Sequence, residues 1–102
     1  MASPFAILFS EGVRGDVRAF RAYDRERLLD AIKTQLTCAP IGETGRRTCL
    51  RNLVPPFEAV PPIWQLRVGT FRVFYDVDER ARAVYVRAIR RKPSHLNTEE
   101  IL

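Results

Sequence analysis

The sequence predicts an α+β fold in which an N-terminal strand and a two-helix hairpin pack on one face of a mainly antiparallel sheet, in the order β-α-α-β-β-β. A Gly-Thr pair separates two β-rich runs in the second half of the chain, and a third run follows. Apolar residues recur twice at helical spacing in the first half. With 102 residues, 46% of them hydrophobic and 28% charged, residues 1–102 suit one soluble globular domain.

The first third of the chain predicts one strand and two helices. Pro4–Ser10 is a short apolar run, too short for a helix, and it predicts a strand that is buried on both faces. Periodic apolar residues then predict helices over Glu11–Ala22, capped by Ser10, and over Arg25–Leu36, capped by Asp24. We expect both helices to pack on the apolar face of the sheet.

The middle of the chain, Thr37–Ile63, shows neither helical nor strand periodicity. Its five prolines and two glycines exclude a long regular element and predict a loop, parts of which drape over the core. A loop of this length in a compact domain is often functional.

The composition also bears on cofactors and location. One histidine and the absence of a CxxC spacing argue against a metal site, and no cofactor is expected. No run of 18 apolar residues and no export signal are present, so we expect a cytoplasmic protein without a membrane partner, with Cys38 and Cys49 reduced.

The register of the predicted sheet follows from the turn at Gly69-Thr70. A two-residue type II′ turn places Arg67 opposite Arg72 on strands Trp64–Val68 and Phe71–Asp78. If residues 79–82 form the next loop, the third strand, Ala83–Arg91, pairs with the second. Tyr75 then lies opposite Val86, Phe74 opposite Arg87, and Arg72 opposite Ile89.

This register predicts one apolar face and one basic face, because side chains alternate along a strand. The predicted apolar face carries Trp64, Leu66, Val68, Phe71, Val73, Tyr75, Val77, Val84, Val86 and Ala88. The predicted basic face carries Gln65, Arg67, Arg72, Phe74, Tyr85, Arg87, Ile89 and Arg91.

Two interpretations of the basic face stand side by side. Arginines with aromatic residues among them suit a polyanion with stackable bases, whereas long arginine stems can also simply cover apolar sheet. The charge distribution favours a binding role, because residues 64–92 hold eight Lys and Arg against three Asp and Glu, while the remainder holds nine of each. A polyanion or an acidic protein partner is therefore expected at this part of the chain.

The element order and one motif resemble a known superfamily. Leu66-Arg67-x-Gly69-x-Phe71-Arg72-Val73-x-Tyr75-Asp76-Val77, followed by a VxVRAIRRK strand, resembles the RelE/ParE superfamily of type II toxin–antitoxin toxins over nearly the whole chain. The resemblance implies either a RelE-like, ribosome-dependent mRNA endoribonuclease or a ParE-like inhibitor of DNA gyrase that cuts no RNA. It also implies an antitoxin, acidic and helical, that wraps the toxin.

The resemblance further implies roles for particular residues. Arg67 and Arg72 match the hairpin arginines that bind and polarise the scissile phosphate, Arg91 or Lys92 matches a basic residue at the end of the last strand, and His95 lies near a position with acid–base roles. The expected catalytic residues are Arg72, Lys92 and His95. The expected nucleic-acid-binding residues are Arg67, Arg72, Phe74, Arg87 and Arg91.

The sequence departs from the family pattern at the strand before the hairpin. Ile63 and Gln65 stand where well-studied nucleases have lysines, and no tyrosine follows Lys92. Three hypotheses therefore remain open. The first is a RelE-like mRNA endoribonuclease, the second is a ParE-like or degenerate binding module without chemistry, and the third is a purely structural basic domain.

Overall fold

The computed structural model describes residues 4–102 as three helices and five strands. In chain order these elements are β1 (Ala6–Phe9), α1 (Glu11–Ala19), α2 (Ala22–Leu36), β2 (Arg47–Leu50), β3 (Ile63–Val68), β4 (Phe71–Asp78), β5 (Ala83–Arg91) and α3 (Thr98–Ile101).

All five strands form one sheet in the order β1-β5-β4-β3-β2. β1 pairs parallel to β5, and the other three pairings are antiparallel. The predicted α+β class, with an N-terminal strand and two helices followed by a mostly antiparallel sheet, is confirmed. β2 was not predicted: its four residues are too few to show a period, and they gain their pairing only from β3.

The turn between β3 and β4 has the predicted two-residue geometry. Gly69 has a φ of 58° whereas Thr70 does not have a positive φ, which is the sign pattern of a type II′ turn. Arg67 therefore lies opposite Arg72 and Val68 opposite Phe71, as predicted.

The predicted pairing of β4 with β5 is correct at the C-terminal end of β4 and wrong at its N-terminal end. Tyr75 pairs with Val86 as predicted, but a β-bulge then leaves Arg87 as an extra residue, so that Phe74 pairs with Ala88 and Arg72 with Arg90. The predicted Phe74–Arg87 and Arg72–Ile89 pairings are therefore wrong. Beyond the bulge, every side chain of β5 moves to the face opposite the predicted one.

The larger core lies between the helices and the sheet. Its helix residues include Val13, Leu28, Ile32 and Leu36, all of which belong to the predicted helical stripes. The sheet residues of this core are Trp64, Leu66, Val68, Phe71, Val73, Tyr75, Val84, Val86 and Ile89. Ile89 belongs to this core and Ala88 does not, which reverses their predicted faces because of the bulge.

The N-terminal elements differ from their predicted bounds in ways that the contacts explain. α2 begins at Ala22, before the predicted cap Asp24, which is buried inside the first turn and accepts a hydrogen bond from Arg21 Nε at 3.2 Å. Ser10 is the N-cap of α1, but its hydroxyl donates to the carbonyl of Arg87 instead of accepting from the helix. β1 is not buried on both faces, since Leu8 is 46% exposed at the sheet edge.

The side of the sheet that faces away from α1 and α2, which we call the outer face, carries a second, smaller core. Ile63, Phe74 and Ala88 form its centre. Two segments pack over them: the loop after β2, through Phe57 and Ala59, and the C-terminus, through Ile101 and Leu102. The part of the outer face around Phe74 is therefore covered by the chain itself.

The C-terminal segment is held by local and long-range hydrogen bonds. Asn97 caps α3 in a capping box with Glu100. The Thr98 hydroxyl donates to Gln65 Oε1 at 3.0 Å, which ties the segment to β3. None of the helices in residues 4–102 is long and apolar enough to cross a membrane.

Candidate anion-binding site

The predicted basic surface lies on the outer face, where the sheet register brings Arg67, Arg72 and Arg87 to the same side. Arg67 and Arg72 are cross-strand partners on the β3–β4 hairpin. Arg87 reaches Asp76 on the same side of β4. The shared side is as predicted, but the surroundings of the predicted site residues differ widely.

Phe74 does not form part of an accessible surface. Its side chain is fully buried, and its ring lies 6.1 Å from the ring of Phe57 in the loop after β2. A base stacks on an aromatic ring only when a face of that ring is open. The prediction that Phe74 binds nucleic acid is therefore wrong, because the loop covers its ring.

Arg87 is engaged in a structural ion pair. Its Nε donates to Oδ2 of Asp76 at 2.7 Å, and its Nη2 donates to Oδ1 at 3.3 Å. Asp76 is only 3% exposed. The guanidinium also lies over the ring of Tyr85 at 4.9 Å, and the backbone N–H of Val60 donates to Asp76 Oδ2. Both hydrogen-bonding edges of the Asp76 carboxylate are thus used to hold the sheet and the loop together.

Arg91 lies on the helix side of the sheet, not on the outer face. The bulge places it opposite Phe71, and its guanidinium stacks over the Phe71 ring at 4.5 Å. It also lies 3.7 Å from the buried carboxylate of Asp24 in α2. The predicted face of Arg91 is therefore wrong, because the extra residue in β5 reverses the alternation. Its neighbour Arg90 pairs with Asp16 of α1 at 3.1 Å.

Three predicted cations remain together at the end of the β3–β4 hairpin, and we call Arg67, Arg72 and Lys92 the tip cations. The backbone N–H of Lys92 donates to the Thr70 carbonyl, which brings the end of β5 beside the turn. Arg72 donates to the carbonyls of Gly69 and Phe71, and Arg67 to the carbonyl of Gly45. Within residues 4–102, none of the three makes an ion pair with a carboxylate.

The two tip arginines repel one another. Partial burial and the charge of Arg67 both lower the pKa of Arg72 from its ordinary value, with burial the larger cause. Like charges directly opposite one another on a sheet are destabilising. An anion bound between the two guanidinium groups would relieve this repulsion, so the hairpin end is the part of the outer face best suited to a phosphate.

His95 is exposed in the segment between β5 and α3. At the start of this segment, the backbone N–H of Lys92 donates to the Thr70 carbonyl. At its end, the Thr98 hydroxyl donates to Gln65 Oε1. His95 therefore lies in a segment that is fixed at both ends to the β3–β4 hairpin.

The structure adds two cations that sequence reasoning did not assign to the site. The backbone carbonyl of Arg46 accepts a hydrogen bond from the backbone N–H of Arg67 at 2.8 Å, so Arg46 lies beside the hairpin. The Arg27 guanidinium, from α2, lies against Gly69: a Cβ at Gly69 would be 3.0 Å from Arg27 Cζ. Only the fold brings residues 27, 46 and 67 together, so no local signal could have identified this group.

Comparison with known proteins identifies the fold. No protein-family model matches this chain, and no curated protein does. Among solved structures, it resembles a chain of the RelBE2 toxin–antitoxin complex of Mycobacterium tuberculosis, with a TM-score of 0.72 and 16% identity over 90% of this chain and 95% of the other. It also resembles a chain of the archaeal RelE–RelB complex of Pyrococcus horikoshii OT3, with a TM-score of 0.63 and 12% identity over 90% and 98%. The chain therefore shares its fold with these two chains.

Proposed function

We propose that this protein is the toxin of a type II toxin–antitoxin pair and that it cleaves messenger RNA at the ribosome. The observation that carries the proposal is the cross-strand pair of Arg67 and Arg72, two guanidinium groups that the described chain leaves without an acidic partner. The likeness of the fold to chains of two toxin–antitoxin complexes supports the toxin assignment.

The chemistry that this arrangement suits is attack of an RNA 2′-hydroxyl on the adjacent phosphorus. The 2′-oxygen forms a bond to phosphorus while the bond from phosphorus to the 5′-oxygen breaks. Arg67 and Arg72 would bind the non-bridging oxygens and stabilise the charge that develops on them, and Lys92 would add a third positive charge. His95 would give a proton to the leaving 5′-oxygen, and the 2′-hydroxyl proton would pass to water.

The proposed protein partner is an acidic, helical antitoxin. The chain carries a formal net charge of +5, and the tip cations concentrate unpaired positive charge at one end of the sheet. Such a field steers an oppositely charged partner towards the site and accelerates its association. An antitoxin that covered the hairpin end would exclude RNA from it.

Cleavage mapping on translating ribosomes tests the proposal. We expect in-frame cuts from the wild type, and a loss of roughly 100-fold or more in rate for Arg72→Gln, because a donor to the developing charge is removed. His95→Ala should also slow cleavage, by roughly 100-fold, because the leaving oxygen loses its acid. Arg14→Gln is the matched control, since Arg14 is exposed on α1 and also changes the net charge by one. Cleavage by Arg72→Gln at the wild-type rate would contradict the proposal.

A second candidate function is a ParE-like inhibitor of DNA gyrase without RNA chemistry. The observation that favours it is β3, which offers no cation besides Arg67: Ile63 is fully buried and Gln65 is bonded to Thr98. Intact mRNA together with gyrase-linked DNA breaks would support this alternative over the first proposal.

A further inference from the structure

A cleft of about 460 Å³ opens between α2 and the β3–β4 hairpin. It lies near the start of β2, which is an edge strand of the sheet. Arg27, Asp30 and Thr34 line its α2 side. These residues recur at spacings of three and four, so they share one face of the helix. Arg46, Arg67 and Gly69 line the opposite side.

The lining is cationic. Three arginines, Arg27, Arg46 and Arg67, line the cleft together with one acidic residue, Asp30. Among residues 4–102, none of these three arginines forms an ion pair within 4.0 Å, whereas several other arginines do. Asp30 is the one acidic residue of the lining, so the cleft carries an excess of positive charge.

The Arg27 guanidinium lies directly against Gly69 of the hairpin turn: a Cβ at position 69 would be 3.0 Å from Arg27 Cζ. Gly69 is favoured there by its φ of 58°. The contact places a cation of α2 beside the hairpin.

We propose that this cleft binds a backbone phosphate of single-stranded RNA, with Arg27 and Arg46 as binding residues next to Arg67. Arg67 lines the cleft and is also the cross-strand partner of Arg72. One strand could therefore place one phosphate at the Arg67–Arg72 pair and a neighbouring phosphate in the cleft. The proposal rests on the proposed function in taking RNA as the ligand, but it concerns binding and requires no cleavage.

Continuity with the hairpin pair favours an RNA strand as the ligand of the cleft, because Arg67 lines the cleft and is also the cross-strand partner of Arg72. Guanidinium groups pair with phosphate oxygens through two parallel hydrogen bonds, and Thr34 and Gln35 in the same lining carry side-chain donors. Asp30 is the group that opposes any anion. Its removal should therefore strengthen binding, an effect that a purely structural cleft would not show.

The test measures binding of a short, fluorescein-labelled oligouridylate to the purified full chain by fluorescence anisotropy, over a series of salt concentrations. Arg27→Gln and Arg46→Gln should each weaken binding about fivefold to tenfold, as expected for the loss of a charge-assisted contact. Each should also reduce the slope of log K against log salt by about 0.7, the value for one phosphate contact with a single strand. Arg27→Lys should retain most of the slope, because the charge remains.

Two further variants make the result specific to the cleft. Lys33→Gln, on the same helix but outside the cleft, removes the same charge and should leave affinity and slope nearly unchanged. Asp30→Asn should tighten binding severalfold. Circular dichroism of each variant reports whether α2 is intact, so that a loss of binding can be assigned to the side chain.

Three outcomes would overturn the proposal. Equal effects of Arg27→Gln and Lys33→Gln would reduce the cleft to general surface charge. Unchanged binding by both Arg27→Gln and Arg46→Gln would remove the cleft from RNA recognition, and the cleavage experiment on ribosomes would stand independently. If Arg27→Gln weakened binding of a polyglutamate peptide and left RNA binding intact, the cleft would belong to an acidic protein partner instead.

Discussion

Replacement of Arg87 by alanine should destabilise the protein and leave its anion affinity largely intact. The guanidinium makes two hydrogen bonds to Asp76, at 2.7 and 3.3 Å, and the Asp76 side chain is only 4% exposed. Removing one partner of a buried ion pair leaves an uncompensated charge, which typically costs about 3–5 kcal/mol. Because Arg87 retains 17% exposure, we expect the lower end, about 3 kcal/mol.

Urea denaturation of the wild type, the two single alanine variants at Asp76 and Arg87, and the double variant measures this coupling. Asp76→Ala should also release the N–H of Val60 and loosen the loop after β2. In a double-mutant cycle, the two positions should show a coupling free energy of about 1–3 kcal/mol. The reasoning is refuted if Arg87→Ala costs less than about 1 kcal/mol while it weakens RNA binding as strongly as Arg67→Ala does, since Arg87 would then be a ligand residue.

Two other substitutions test how the outer face and the middle loop are held. Phe74→Ala should cost about 3–5 kcal/mol in urea denaturation, because it empties a fully buried site; a change below about 1 kcal/mol would indicate an exposed ring. Tyr75→Phe removes a 2.6 Å hydrogen bond to the Pro40 carbonyl and should cost about 1–2 kcal/mol, with faster amide exchange confined to residues 37–46. Unchanged exchange there would show that this hydroxyl does not anchor the loop.

The sequence predicted the structure best where a short local motif determines which residues pair across the sheet. The Gly69-Thr70 turn sets the register of β3 and β4, so the opposition of Arg67 and Arg72 could be predicted from two residues. The bounds of β4 and β5 were also predicted, because alternation over eight and nine residues is a strong signal.

The sequence was least informative where a single residue or a distant contact decides the outcome. The bulge at Arg87 involves neither glycine nor proline, so nothing in the sequence marks it, yet it moves Ile89 and Arg91 to the helix side. Burial of Phe74 depends on an aperiodic loop and on the C-terminus, whose positions are fixed by tertiary contacts. The ion pair of Arg87 with Asp76 depends on cross-strand geometry, and counting charges along the chain cannot show which of them are neutralised in this way.

The central claim is that Arg67 and Arg72, at the hairpin end, are available to an anion, whereas Arg87 and Arg91 are held in structural contacts. An NMR titration of the arginine Nε–H signals with short single-stranded RNA tests it most directly. We predict that the signals of Arg67 and Arg72 shift with increasing RNA while those of Arg87 and Arg91 stay in place. Shifts at Arg87 and Arg91 with none at the hairpin would contradict the account.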